Sequence, residues 1–235
     1  MNLCDLTKWR TSELVERVRN NNIPHVTRFG DGEAICLNST VGQNCDSHKY
    51  SSDLGEALKK ALQHFAQTDN LWLGNWFWSP YGPEIHKIVN ESRPTEDWCD
   101  HDIFLHSHHN NITDITNLYR EVRKLKRRKV LVRPERISDA DKITGATGIT
   151  VPQLNGWQYY NETKDRILNS INDNDLVMVC WGMPAKPLIS EILKNKKCIV
   201  WDTGSAFDGL GPSTTRNNQL NRQEIIALYP EISFG

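Results

Sequence analysis

Arg28-Phe29-Gly30-Asp31-Gly32-Glu33 places two carboxylates one residue apart between glycines, directly after the extended-looking run Ile23-Pro24-His25-Val26-Thr27. A D-x-E pair in a tight turn can aim both side chains at one point, because the intervening glycine adopts backbone angles closed to other residues and leaves room for a phosphate. Magnesium and manganese prefer oxygen ligands and are commonly held by one or two carboxylates plus the phosphates of a substrate. Asp31 and Glu33 are therefore the expected metal ligands, with Arg28 meeting the same phosphates. The competing reading is a plain helix start, in which Asp31 caps and Glu33 favours the positive end of the helix dipole.

Three further constellations carry chemistry. The apolar run Leu176 to Trp181, then Gly182-Met183-Pro184 and a helical pattern, can bind a diphosphate on free helix-start amides, with Lys186 adding charge; a plain strand-to-helix connection is the alternative. Asp202 and Asp208 frame the next turn, where they can bind a ribose hydroxyl, order a metal-bound water or deprotonate an acceptor hydroxyl, or serve only as turn residues. His101, His106, His108 and His109, with Asp97, Asp100 and Asp102, form the densest group of transition-metal ligand types, although no H-E-x-x-H pattern or paired cysteines accompany them. A zinc-dependent hydrolase built on His106, His108 and His109 is thus one alternative function, and a non-catalytic nucleotide-binding module is another.

Three of these regions, all but the histidine group, resemble a known family. Val26 to Glu33 resembles the R-F-G-D-G-E signature of the GT-D fold glycosyltransferases, first catalogued as a domain of unknown function in bacterial glycan clusters. Val179 to Leu188 resembles that family's strand, Gly-Pro-Thr-Ala-Lys turn and helix. Cys198 to Asp208 resembles its late strand ending in D-x-G followed by a further Asp. Met183-Pro184 stands where the family tends to have Pro-Thr, and Ser205-Ala206-Phe207 replaces a His-containing stretch. The resemblance implies a metal-dependent hexosyl- or pentosyltransferase using Mn²⁺ or Mg²⁺ on Asp31 and Glu33; of the roles open to the Asp202–Asp208 turn, general base is the one assigned to Asp208. It also implies a nucleoside diphosphate sugar, a UDP-sugar first, bound by Arg28, Gly30, Gly32, Gly182, Lys186, Asp202 and Gly204. A glycan is favoured over nucleic acid as acceptor, with a modified DNA base as the other option.

The rest of the chain bounds these readings. Its 235 residues suit one α/β domain spanning 1–235. The formal charge of −1 argues against a protein built mainly to bind nucleic acid or anionic membrane. No apolar run is long enough to span a bilayer and the first residues lack a secretion-signal layout, so a cytoplasmic protein is expected. The six cysteines are dispersed without a C-x-x-C pair and read as free buried thiols. The basic tract Arg120 to Arg136 reads mainly as a solvated helix face running into a strand, with a polyanionic partner as the alternative. The aromatic run from Leu71 to Tyr81 alternates, so Trp72 and Leu73 face opposite sides, and its Trp78 to Tyr81 end is a candidate stacking platform.

The elements that must position these groups alternate in type. Apolar periodicity predicts helices over 12–20, capped by Ser12, and over 52–66, 112–126, 159–171 and 187–194, with a last short helix after the 211–218 loop. Short apolar runs predict buried strands at 71–77, 103–105, 129–132, 175–181 and 198–201. This alternation predicts a doubly wound, mostly parallel sheet with helices on both faces. Ligands of such sheets bind beyond the carboxyl ends of the strands, where Asp31, Gly182 and Asp202 are all expected.

Overall fold

The computed structural model describes residues 10–44, 47–75, 80–92, 97–108, 111–212 and 219–234. Trp76 to Ser79, His109, Cys4, Cys45 and residues 213–218 of the expected loop lie outside that set. The strands are β1 (His25–Phe29), β2 (Leu71–Asn75), β3 (Trp98–Asp100), β4 (Lys129–Arg133), β5 (Thr147–Thr150), β6 (Leu176–Val179) and β7 (Ile199–Asp202). They form one sheet in the order β3-β2-β1-β7-β6-β4-β5, with every neighbouring pair parallel. The helices are α1 (Thr11–Arg19), α2 (Asp31–Asn38), α3 (Ser52–Phe65), α4 (Gly82–Ser92), α5 (Ile112–Lys124), α6 (Ala140–Thr144), α7 (Tyr160–Ser170), α8 (Ala185–Asn195) and α9 (Arg222–Ala227).

Strand alternation divides the apolar side chains between two cores. On one face Phe29, Leu71, Leu73, Val132, Val179 and Val200 pack against α3 and α8 through Leu58, Leu62, Leu188 and Ile192. On the other face Val26, Trp72, Leu131, Met178 and Trp201 pack against α1 and α5 through Leu14, Val18, Leu118 and Val122. Both layers are buried, which is why the central strands read as continuous apolar runs. The doubly wound parallel sheet is thus as expected.

Differences from the sequence expectation have local causes. Residues 103–105 are not a strand: Asp100 Oδ1 accepts the Asp102 N–H at 2.7 Å, and Ile103 and Leu105 donate to the carbonyls of Asp100 and Asp102. These turns follow β3 directly and bury Ile103, Phe104 and Leu105 in the core without strand pairing. α1 begins at Thr11 behind Arg10, with no side-chain cap, so Ser12 lies inside its first turn. β5 escaped notice because Thr147-Gly148-Ile149-Thr150 is a partly exposed edge strand with a single large apolar residue. Cys36, Cys99, Cys180 and Cys198 are free and buried, as expected, and burial pushes the Cys99 and Cys180 thiols up to about 12. Among the described residues no helix is long and apolar enough to cross a membrane.

Candidate functional site

The carboxyl ends of the central strands open into a cavity of about 200 Å³. β1 and β7 are neighbours there, yet their chains leave toward opposite faces. α2 after β1 puts Ala34 and Cys36 into one core, whereas the segment after β7 puts Phe207 and Leu210 into the other. Such a divergence opens a crevice between the two connections, the usual ligand position of an open parallel sheet.

Arg28, Gly30, Asp31, Gly32, Glu33, Gly182, Lys186, Gly204 and Asp208 all line this cavity. Asp202 is the exception among the expected residues: it is 0 % exposed and lies beneath the wall. Asp31 opens α2 and is exposed, with Oδ1 accepting the Gly32 N–H at 2.8 Å. Glu33, two residues on, turns inward and is 7 % exposed. Its Oε2 accepts the Gly30 N–H at 3.0 Å, one half of a capping box whose reciprocal half is missing because Gly30 has no side chain. The helix-start reading and the functional reading of this hexapeptide are therefore compatible.

The floor of the cavity is a buried chain of charge. Lys186 Nζ lies 2.6 Å from Glu33 Oε1 and 3.1 Å from Asp202 Oδ2, and Arg28 Nη2 lies 4.0 Å from Asp202 Oδ1. Burial alone raises a carboxyl, but the Lys186 ammonium overrides it and holds Glu33 at about 2. Burial likewise opposes the charge on Lys186, and Asp202 with Glu33 reverse that and move its pKa upward. Arg28 also donates from Nη1 to the His101 carbonyl at 2.6 Å, while its Nε is buried without a partner. Lys186 thus fixes two carboxylates instead of standing free to reach a phosphate.

Glycine is required at two of the turns. Gly204 follows β7 at φ +49°, and a Cβ there would lie 1.6 Å from Arg28 Nη2. Gly182 follows β6 at φ +53°, and a Cβ there would lie 2.7 Å from His48 Nε2. Both positions combine a left-handed backbone with the passage of a basic side chain that faces the cavity. The α8 start offers fewer free amides than expected, since Ala185 and Lys186 already donate to the carbonyls of Gly182 and Met183.

The donor set suits a hard divalent cation only sparsely. Asp31 presents an exposed carboxylate, and Glu33 has only the lone pairs left after its bonds to Lys186 and Gly30. A cation that draws most of its ligands from substrate phosphates and water fits such a place.

Other residues complete the wall; of these the sequence singles out only His101, in the histidine group, and Pro134 and Arg136, in the basic tract. Asn44, Ser47 and His48 come from the loop bridged by Gln43 and Lys49, His101 follows β3, Pro134 and Arg136 follow β4, and Gln153 and Leu154 follow β5. Isolated residues on separate loops leave no spacing signal; only the strand ends they follow could have pointed to them. Of the basic side chains in that tract, Arg136 alone lines the cavity. Arg120 pairs with Glu231, Lys124 with Glu121, Arg128 with Asp175, and Arg133 with Asp141 and Glu135. The described histidines of the group do not converge. His106 is buried with Nδ1 on the Ala206 carbonyl and Nε2 on the Tyr229 hydroxyl, while His108 is exposed, 3.9 Å from Glu224. Among the described residues no three His, Cys, Asp or Glu side chains are placed to hold a metal.

No family model matches the sequence, and no curated protein matches it. Solved structures do. One described as a new glycosyltransferase (DUF1792) from Streptococcus sanguinis superposes with a TM-score of 0.63 at 14 % identity, over 84 % of this chain and 81 % of that one. A selenomethionine-substituted structure of domain of unknown function 1792 gives 0.59 at 18 % identity, over 88 % and 83 %. A third, described as having a distinct glycosyltransferase fold, gives 0.58 at 17 % identity, over 85 % and 81 %. This chain therefore has the fold of the DUF1792 glycosyltransferase structures, over most of its length.

Proposed function

We propose that this protein is a glycosyltransferase that moves a sugar from a nucleoside diphosphate sugar to an acceptor hydroxyl, using the cavity at the carboxyl ends of β1, β6 and β7. The observation that carries this reading is the convergence of the Asp31 turn, the Gly182 turn and Arg28 on one crevice. The likeness to structures described as glycosyltransferases supports it.

Asp31 would hold Mn²⁺ or Mg²⁺, with Glu33 as the second oxygen donor. A divalent cation bound there would neutralise charge on the departing diphosphate. Arg28, locked between the His101 carbonyl and Asp202, presents a fixed positive charge to the same group at no cost of reorganisation. Lys186 acts from below by holding Glu33 ionised and oriented. The pairing of Arg120, Lys124, Arg128 and Arg133 with carboxylates of the protein favours a glycan over nucleic acid as acceptor, and UDP-sugars are the first donors to test. Hexosyl and pentosyl donors both remain in the panel.

Incubation with a panel of nucleoside diphosphate sugars and Mn²⁺ tests this reading directly. The wild-type protein should release the nucleoside diphosphate from one donor, and D31A should lower that turnover by about 100-fold or more while melting as wild type does. Absence of turnover with every donor and a range of glycan acceptors, or an unaffected D31A variant, contradicts it.

A further inference from the structure

Arg136 reaches the cavity from the turn after β4, and Asp208 reaches it from the turn after β7. β6 lies between those two strands, so the side chains meet across its carboxyl end, bridging about 10 Å of sheet at the usual strand spacing. Arg136 Nη2 donates to Asp208 Oδ1 at 2.7 Å. A guanidinium carries five N–H donors, and this one is only 18 % exposed. Its Nε is buried without an acceptor. The main chain crowds that edge, since a Cβ on Gly211 would lie 2.9 Å from Nη1. Ser205 also lines the cavity, and its hydroxyl, buried in the wall, lacks a partner.

A wall with a carboxylate acceptor and a forked cationic donor side by side, and a hydroxyl from the same turn as the carboxylate, selects its ligand by chemistry. A phosphate is disfavoured by the Asp208 charge, and an apolar group would leave the remaining donors without acceptors, at a cost for each. Adjacent hydroxyls of a sugar ring match the set, because each hydroxyl donates one hydrogen bond and accepts others. We propose that Arg136 and Asp208, with Ser205, form a subsite for the vicinal hydroxyls of a sugar ring, beside the position of the diphosphate. This inference rests on the function proposed above. It makes Asp208 a ligand for hydroxyls instead of the base that removes their proton, and Arg136 a specificity residue. The diol can be that of the ribose or that of the transferred sugar.

Calorimetric titration with Mn²⁺ separates these sources. The probes are UDP, GDP, ADP and dTDP, followed by the 2′-deoxy analogue and the glucose conjugate of whichever ribonucleotide binds. In the wild-type protein the ligand carrying the recognised diol should bind about tenfold more tightly than its counterpart without it. R136M should erase that advantage: between the nucleotide and its 2′-deoxy analogue if the ribose is held, or between the glucose conjugate and the bare nucleotide if the transferred sugar is held. S205A, a smaller change that leaves the ion pair intact, should narrow the same difference. Both advantages surviving in R136M and S205A, or every affinity falling equally with a lowered melting temperature, overturns the subsite and leaves the nucleotide reading standing. A wild-type protein that binds none of the nucleotides overturns that reading itself.

Discussion

Two of the places where the protein buries polar groups are built on opposite terms. Around His106 the surroundings are aromatic and neutral: Tyr119 stacks on its ring at 5.3 Å, Phe207 and Tyr229 lie at 6.0 Å, and both ring nitrogens bond to protein oxygens. Burial lowers this histidine to about 4, so it sits neutral in the core. At the cavity floor, Arg28, Asp202, Lys186 and Glu33 form a chain of ion pairs, and Arg28 Nε has no partner. The first arrangement is complete without any ligand. The second couples a buried ionic chain to a cavity wall, where further charge can be received. Residue type alone pointed to both; only the state of their partners separates packing from chemistry.

The largest expected effect strikes the charged region. K186M leaves Glu33 and Asp202 buried without their cation and should lower stability by about 3–5 kcal/mol, measured by urea unfolding. A loss under about 1 kcal/mol would mean that the chain is open to water and that the contrast with His106 is false. Next comes the neutral region. Because the folded pKa of His106 lies below the ordinary histidine value of about 6.5, its stabilising contribution is complete above that value. It declines as pH falls toward about 4, by roughly 3 kcal/mol in all. H106F should flatten that part of the pH–stability curve, whereas an unchanged slope would show that His106 does not report it. The smallest effect belongs to H108A: its exposed side chain should change stability by less than about 0.5 kcal/mol and leave sugar transfer intact. A large loss of activity there would revive a histidine-centred reaction.

Much of this was legible in the chain because strong periodic signals survive without context. The apolar runs at 129–132, 175–181 and 198–201 became β4, β6 and β7, and the amphipathic 52–66 and 112–126 became α3 and α5. Gly30-Asp31-Gly32-Glu33 and Gly182 were legible as turn chemistry at strand ends, and they do share one cavity. What stayed hidden depends on contacts between distant segments. Nothing near Lys186 in sequence announces that its ammonium is spent on Glu33 and Asp202, and nothing near Arg136 announces Asp208 across β6. The run at 103–105 misled because burial, which it has, does not require strand pairing.

The most direct test of the central claim is equilibrium binding of nucleoside diphosphates to the wild-type protein and to D31A, with and without Mn²⁺. The account predicts that one nucleotide binds the wild-type protein, that Mn²⁺ tightens the binding by about tenfold or more, and that D31A abolishes this gain while melting normally. Nucleotide binding that ignores both Mn²⁺ and the loss of Asp31, or no binding at all, would contradict it.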